Sequence, residues 1–152
     1  MKLNLSFLIL VIIFLFSCKA PERPKTPEQL RFQLKMKEQR SPQLYLKLEN
    51  VAVTPQRKKT RKAGLFRDAE YKDDGHLIEG IIKNKASVAK FKDVKIEFSY
   101  LSKTKTVINK SAYVIYNYYG PNSQKTFSFK IDDYPSAAAS YSVRVANAVG
   151  VN

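Results

Sequence analysis

An alternation of apolar and polar side chains recurs between residues 43 and 149 and constrains the fold more than any other feature of the sequence. In "FKDVKIEFSY", the side chains of Val94, Ile96 and Phe98 fall on one face of an extended chain, with polar residues between them. A period of two is typical of antiparallel strands that bury one face. The same period in "LYLKLENVAV", "TFSFKI" and "YSVRVANAV" predicts an antiparallel β domain.

Turn-forming segments separate these strands and indicate how they are arranged. "DDGH", "SKTK", "GPNS" and "DDYPS" are rich in the residues that favour turns. "HLIEGIIKN" and "SAYVIYNYY" add two strands and "KTVIN" adds a short one, which makes seven. Short strands at this spacing predict an antiparallel β-sandwich over residues 43–152, with an all-β fold class.

The N-terminus carries a targeting signal. The apolar run "FLILVIIFLF" from Phe7 to Phe16 has the length of the apolar region of a signal peptide. It is shorter than the roughly 20 residues that a helix needs to span a bilayer. "LFSC", which ends at Cys18, resembles the lipobox of bacterial lipoproteins. The resemblance implies removal of residues 1–17 and attachment of lipid to the sulfur and the new amino group of Cys18.

Residues 18–42 are predicted to form a tether and a short helix. The three prolines of "KAPERPKTPEQ" favour an extended linker. Thr26 and Pro27 suit the start of a helix, which Ser41-Pro42 would end. This helix would act as a lid on the domain, which we expect because its apolar face is narrow, or as a basic helix on a membrane surface. In lipoproteins that this chain resembles, an acidic run after the cysteine often marks export to the outer surface. None follows Cys18 here, which favours the periplasmic side of the outer membrane.

The segment "IEGIIKNKASVAKFKDVKIEFSYLSKTKTVI" resembles the first half of an FxLYD-type domain. Gly80 and Asn84 match that family's "xxGxVxN" strand, and the apolar residues of "VKIEF" match its long second strand. Tyr100-Leu101-Ser102 stands where the family has Leu-Tyr-Asp. "YYGPNSQKTFSFKI" resembles the turn and strand that follow, with Asn122 in place of the usual Gly.

The resemblance implies an immunoglobulin-like sandwich, and the layout of the chain is also similar to that of small bacterial lipoproteins with this domain. It carries no activity across. Strand alternation and the resemblance agree on which side chains form the interior. We expect eight of them there: Ile82, Val94, Ile96, Phe98, Phe127, Phe129, Val143 and Val145.

Positive charge is concentrated ahead of the FxLYD-like segment. The formal net charge is +14, and no acidic residue lies between Thr54 and Arg67 in "TPQRKKTRKAGLFR". We predict a mobile basic insertion near residues 55–67. Such runs are most often solvated loops. The alternative is contact with anionic envelope lipid or acidic glycan, at about 1 kcal/mol for each Lys or Arg near the surface. The contact would be made by Arg57, Lys58, Lys59, Arg61 and Lys62. Nucleic acid fits the charge but not the export signal.

Four tyrosines in "AYVIYNYYGP" form a second candidate surface. Alternation places Tyr113 and Tyr119 on one face of a strand, and Tyr116 and Tyr118 on the other. Exposed aromatic rings can stack on sugars or proteins, whereas buried ones form core and cross-strand pairs. The sequence leaves open which of the two faces meets water.

The sequence contains no recognisable catalytic or metal-binding arrangement. His76 is the only histidine and Cys18 the only cysteine, which excludes the usual zinc ligand sets. Asp73-Asp74 and Asp132-Asp133 are adjacent pairs, and adjacent residues of a strand point to opposite faces. Such pairs suit turns better than acid–base catalysis. We therefore expect no enzymatic activity, no metal and no cofactor.

Taken together, these features predict a lipid-anchored lipoprotein of the bacterial cell envelope with a binding or structural role. Its expected partners are the membrane, through the lipid on Cys18, and an envelope protein or anionic glycan. The alternative is a module that docks on anionic envelope lipid or acidic glycan through the basic insertion.

Overall fold

The computed structural model describes residues 24–151, so the predicted signal peptide and Cys18 lie outside the described residues. Two helices come before six strands in the described part of the chain. The elements are α1 (Pro27–Arg40), α2 (Pro42–Tyr45), β1 (Leu46–Arg61), β2 (Glu70–Asn84), β3 (Lys90–Leu101), β4 (Val107–Tyr119), β5 (Gln124–Ile131) and β6 (Ser140–Val151). All six strands belong to one compact unit, Arg31–Asn152.

Two three-stranded antiparallel sheets make up the fold, which confirms the prediction of antiparallel β structure. The strand order is β1-β2-β5 in one sheet and β4-β3-β6 in the other, and every neighbouring pair is antiparallel. The described residues form six strands and not the predicted seven. The segments predicted as a short strand and a long one are joined without a turn in β4.

One of the predicted turns lies inside a strand, and another forms as predicted. "DDGH" is not a turn but lies inside β2. Gly75 allows this course because its φ is +73°, and a Cβ at this position would collide with the backbone of Ile131. "GPNS" forms the predicted turn, closed by a hydrogen bond from the Ser123 N–H to the Gly120 carbonyl. Asn122 adopts the left-handed conformation expected of it, with φ of 51°.

Side chains from both sheets share one hydrophobic core. Six of the eight predicted interior residues are buried, and the other two, Phe129 and Val143, are half-buried against the same cluster. Phe98 is fully buried. Its ring centroid lies 5.9 Å from that of Tyr113 and 6.0 Å from that of Tyr141. The prediction of the core from alternation is therefore largely confirmed.

Gly80 and Asn84 have identifiable structural roles in β2. A Cβ on Gly80 would lie 2.8 Å from Cζ of Phe127, so this ring packs directly on the strand backbone, as expected of glycine in a strand. Asn84 is fully buried, and its Oδ1 accepts a local hydrogen bond from the Ala86 N–H at 2.9 Å. Its Nδ2 donates to the Gly120 carbonyl at 2.8 Å and so ties the end of β2 to the turn after β4.

Helix α1 is attached to the strands by polar side chains. It begins with the predicted cap, in which the Gln29 N–H donates to Thr26 Oγ1 at 3.3 Å and the Thr26 N–H to Gln29 Oε1 at 3.0 Å. Glu38 is 1% exposed and accepts hydrogen bonds from the backbone N–H groups of residues 87–89. Phe32 is 64% exposed, so its ring contributes little to the attachment of α1 to the strands.

Candidate functional site

The hairpin of β1 and β2 extends past the rest of its sheet. β5 pairs with β2 only between His76 and Lys83, whereas β1 stays paired with β2 as far as Arg61 and Glu70. Residues 55–75 therefore form a two-stranded ribbon, which we call the basic arm. Beyond the third strand, each strand of the ribbon continues for six residues, 56–61 in β1 and 70–75 in β2, with four residue pairs between them. At about 3.3 Å a residue, this extends the ribbon by roughly 20 Å.

The structure places the predicted contact residues on the basic arm, but in a strand and not in a loop. Four of the five lie in β1 and the fifth directly follows it. All five are exposed. They are Arg57, Lys58, Lys59, Arg61 and Lys62. The expectation of a loop was therefore wrong, while the expectation that these side chains meet solvent is confirmed.

Two ion pairs across the ribbon explain how so basic a segment can form a strand. Nε of Arg57 lies 3.8 Å from Oδ1 of Asp73, and Nη1 of Arg61 lies 3.7 Å from Oε2 of Glu70. The acids come from β2, so the repulsion expected from the run of charges in β1 is relieved by its partner strand. All four side chains are more than half exposed. Such pairs contribute about 0–1 kcal/mol each.

The lysines of the basic arm are not neutralised in this way. Lys58 stands directly opposite Lys72, and Lys59 stands opposite Tyr71. Like charges directly opposite each other destabilise a strand pair. In the part of the chain that the structure describes, no carboxylate oxygen lies within 4.0 Å of the ammonium nitrogen of Lys58, Lys59 or Lys62. The basic arm thus has a positive surface that an anionic partner would neutralise.

The basic arm ends in a tight turn with two apolar side chains. The Gly64 N–H donates to the Arg67 carbonyl at 2.9 Å, and the Arg67 N–H donates to the Gly64 carbonyl at 3.3 Å. Leu65 and Phe66 occupy the two central positions and are 93% and 92% exposed. We call this pair the apolar tip. Our sequence interpretation missed it, although "GLF" is the apolar break in an otherwise basic and polar segment.

An open cavity of about 630 Å³ lies at the base of the basic arm. The ring of His76 stacks on that of Tyr134 with centroids 4.4 Å apart. Asp74 pairs with Nζ of Lys130 at 2.8 Å. This hydrogen bond lowers the pKa of Asp74, and the charges of Lys130 and Lys58 lower it further. A carboxylate held ionised in this way is a poor proton acceptor.

The tyrosine faces follow the predicted alternation. Tyr119 is fully buried and Tyr113 half-buried, whereas Tyr116 and Tyr118 are 83% and 59% exposed. Burial raises the pKa of Tyr119 to about 12. The outward pair lies on β4, which is an edge strand of its sheet. These exposed rings are a second surface, and Tyr116 also lines an open cavity of about 550 Å³ between β4 and β5.

Within residues 24–151, no group of three His, Cys, Asp or Glu side chains is placed to hold a metal ion. None of the helices in that range is both long enough and apolar enough to cross a bilayer. No protein-family model, curated protein or solved structure matches the chain. We therefore infer a function from the charge and geometry of the basic arm.

Proposed function

We propose that this protein is a lipid-anchored, non-enzymatic module of the bacterial cell envelope that docks on anionic membrane lipid through the basic arm. One observation carries the proposal. Among the described residues, no carboxylate oxygen lies within 4.0 Å of the ammonium nitrogens of three exposed lysines, Lys58, Lys59 and Lys62, and Lys58 faces a fourth lysine, Lys72. Each Lys or Arg near an anionic surface adds about 1 kcal/mol of attraction.

The lipid anchor proposed at Cys18 would strengthen this docking. A protein held at the membrane by acyl chains meets anionic headgroups at a high effective concentration, so weak contacts through the arm become sufficient. The absence of an acidic run after Cys18 supports a location on the outer membrane facing the periplasm. Acidic glycan or an envelope protein would be the partner if the domain binds no vesicle.

For the fold family, we propose an immunoglobulin-like domain of the FxLYD type. Support comes from the two antiparallel sheets and from the positions that carry the resemblance. Gly80 lies under the ring of Phe127, and Asn84 joins the end of β2 to the turn at Gly120. Both roles are reasons for the glycine and the asparagine that the family's first strand contains.

The docking proposal is tested by removing charge from the basic arm. The chain from residue 18, with Cys18→Ser, contains the entire compact unit Arg31–Asn152 and can be assayed without lipid. A quintuple variant changes the five predicted contact residues to Gln. We expect it to lose most binding to phosphatidylglycerol-containing vesicles in co-sedimentation, above all at low salt, where charges are least screened.

A matched control carries the same loss of charge outside the arm. It changes five exposed lysines of the strand domain to Gln: Lys47, Lys85, Lys90, Lys95 and Lys103. We expect this control to bind more tightly than the arm variant, because its arm is intact. Equal losses in the two variants would mean that net charge alone drives binding. No binding of the parent chain at low salt would overturn the proposed function.

A further inference from the structure

We propose that the apolar tip, Leu65 and Phe66, inserts between the headgroups of an anionic phospholipid bilayer while the lysines behind it bind those headgroups. This inference rests on the proposed function and adds a second kind of contact to it. The partner surface is a bilayer and not a flat polyanion, because only a bilayer offers an apolar layer directly beneath an anionic one.

The position of the apolar tip is the first argument. The two central residues of a tight hairpin turn are commonly Gly, Asn or Asp, which suit the turn and meet water without cost. Here the positions hold Leu65 and Phe66, and each is more than nine-tenths exposed. They are the two most exposed large apolar side chains in the described part of the chain. The domain offers them no apolar contact of its own.

The charges around the apolar tip are the second argument. Lys62 and Arg67 lie within three residues of the pair in sequence, and the hydrogen bonds at Gly64 and Arg67 hold the two sides of the turn together. The basic arm, residues 55–75, contains seven Lys and Arg against four Asp and Glu. Amphipathic helices that combine a basic polar face with Trp, Phe and Leu bury the apolar face about 5–10 Å into the headgroup and acyl boundary, and the same side-chain types can do so from the turn of a strand ribbon. The basic arm has this composition at its end.

The test places a fluorescent reporter at the apolar tip. The chain contains no tryptophan, so Phe66→Trp introduces a single one in the lipid-free chain that begins at residue 18. We expect its emission to shift to shorter wavelength with phosphatidylglycerol-containing vesicles, and to be quenched by lipids brominated on the acyl chain. The matched control is Tyr116→Trp, which places tryptophan at a position of similar exposure in the other sheet. Its emission should stay unchanged.

A second measurement uses the pair Leu65→Ser and Phe66→Ser. We expect this double variant to bind anionic vesicles about tenfold less tightly or weaker still, because two apolar side chains no longer leave water. Its thermal unfolding should match that of the parent, since the side chains it changes pack on nothing. Tyr116→Ser combined with Tyr118→Ser is the matched control and should bind as the parent does.

These experiments distinguish insertion of the apolar tip from electrostatic docking of the basic arm, on which the insertion rests. If the parent binds at low salt but Phe66→Trp shows no shift and the serine pair binds normally, the docking stands and the insertion is overturned. If the parent does not bind, both fail. A concentration-dependent shift in the absence of lipid would show that a second copy of the chain covers the tip, and this result would also overturn the insertion.

Discussion

A single buried carboxylate, that of Glu38, holds α1 against the segment that precedes β3. Its oxygens accept backbone hydrogen bonds from Ser87, Val88 and Ala89 at 2.8, 3.0 and 2.7 Å. Burial by itself raises the pKa of Glu38, but the backbone donors outweigh it and hold the pKa below the ordinary value of 4.5. The carboxylate therefore stabilises the fold in its charged form.

We predict that Glu38→Gln lowers the free energy of unfolding at neutral pH by about 1–3 kcal/mol, because an amide leaves part of this donor set unsatisfied. The folded-state pKa is depressed, so the contribution is fully present above pH 4.5 and is lost as the pH falls through the folded pKa. Urea unfolding of parent and variant across the acid range measures both effects. The two free energies should converge in acid.

Glu28→Gln, on the exposed start of α1, is the control. A difference that stays constant with pH would contradict the role of the charge.

At the scale of elements, the basic arm differs from the sheet that it continues. Between Ile78 and Lys83, β2 is paired on both sides, whereas between Glu70 and Asp73 it is paired with β1 alone. A two-stranded ribbon in water is at best marginally stable. How stably the two strands of the arm pair is therefore expected to depend on whether a partner surface contacts them.

We predict that backbone amides of the arm exchange with solvent much faster than those of Ile78–Lys83 in the same strand. Anionic vesicles at low salt should slow exchange in the arm, and neutral vesicles should not, because the surface that binds is positive. Hydrogen exchange followed by mass spectrometry resolves the two parts of β2. Arm amides that are as slow as those of the sheet without lipid would show that the ribbon needs no partner.

The elements also show what the sequence can and cannot specify. Alternation identifies β3 and its buried residues, since Val94, Ile96 and Phe98 share one face. It does not explain why Phe91 is buried as well, out of phase with Val94. The reason is a register shift next to Asp93, whose φ is 50°. Such a bulge reverses the faces of a strand, and no local pattern marks it.

The candidate site was predictable in composition but not in shape. The run from Arg57 to Lys62 is visible as charge, and charge alone favours a loop. In the structure the run forms a strand, and its arginines Arg57 and Arg61 pair with acids that lie sixteen and nine residues later, Asp73 and Glu70. The apolar tip can be recognised only in the structure, where the turn places Leu65 and Phe66 at the end of the arm.

At the scale of the whole molecule, the lipid anchor proposed at Cys18 would decide where the arm can act. We predict that Cys18 carries lipid and that residues 1–17 are absent from the mature protein, because "LFSC" follows a short apolar run. Growth with a labelled fatty acid should mark the protein, and Cys18→Ser should abolish the label. Label that survives this substitution would contradict the assignment of Cys18. Intact-mass measurement of the mature protein checks the cleavage.

The place of β6 in its sheet bears on when the chain can fold. β6 is the last of the six described strands in the chain, yet it pairs with β3 from Lys90 to Leu101 and contributes Val145 and Ala148 to the core. β3 therefore keeps one unpaired edge, and the core stays open, until residues 140–151 have left the ribosome. Pairing of strands far apart in sequence is also slow. For the export that we propose, slow completion of the fold would keep the nascent chain in the unfolded form that a secretion channel accepts.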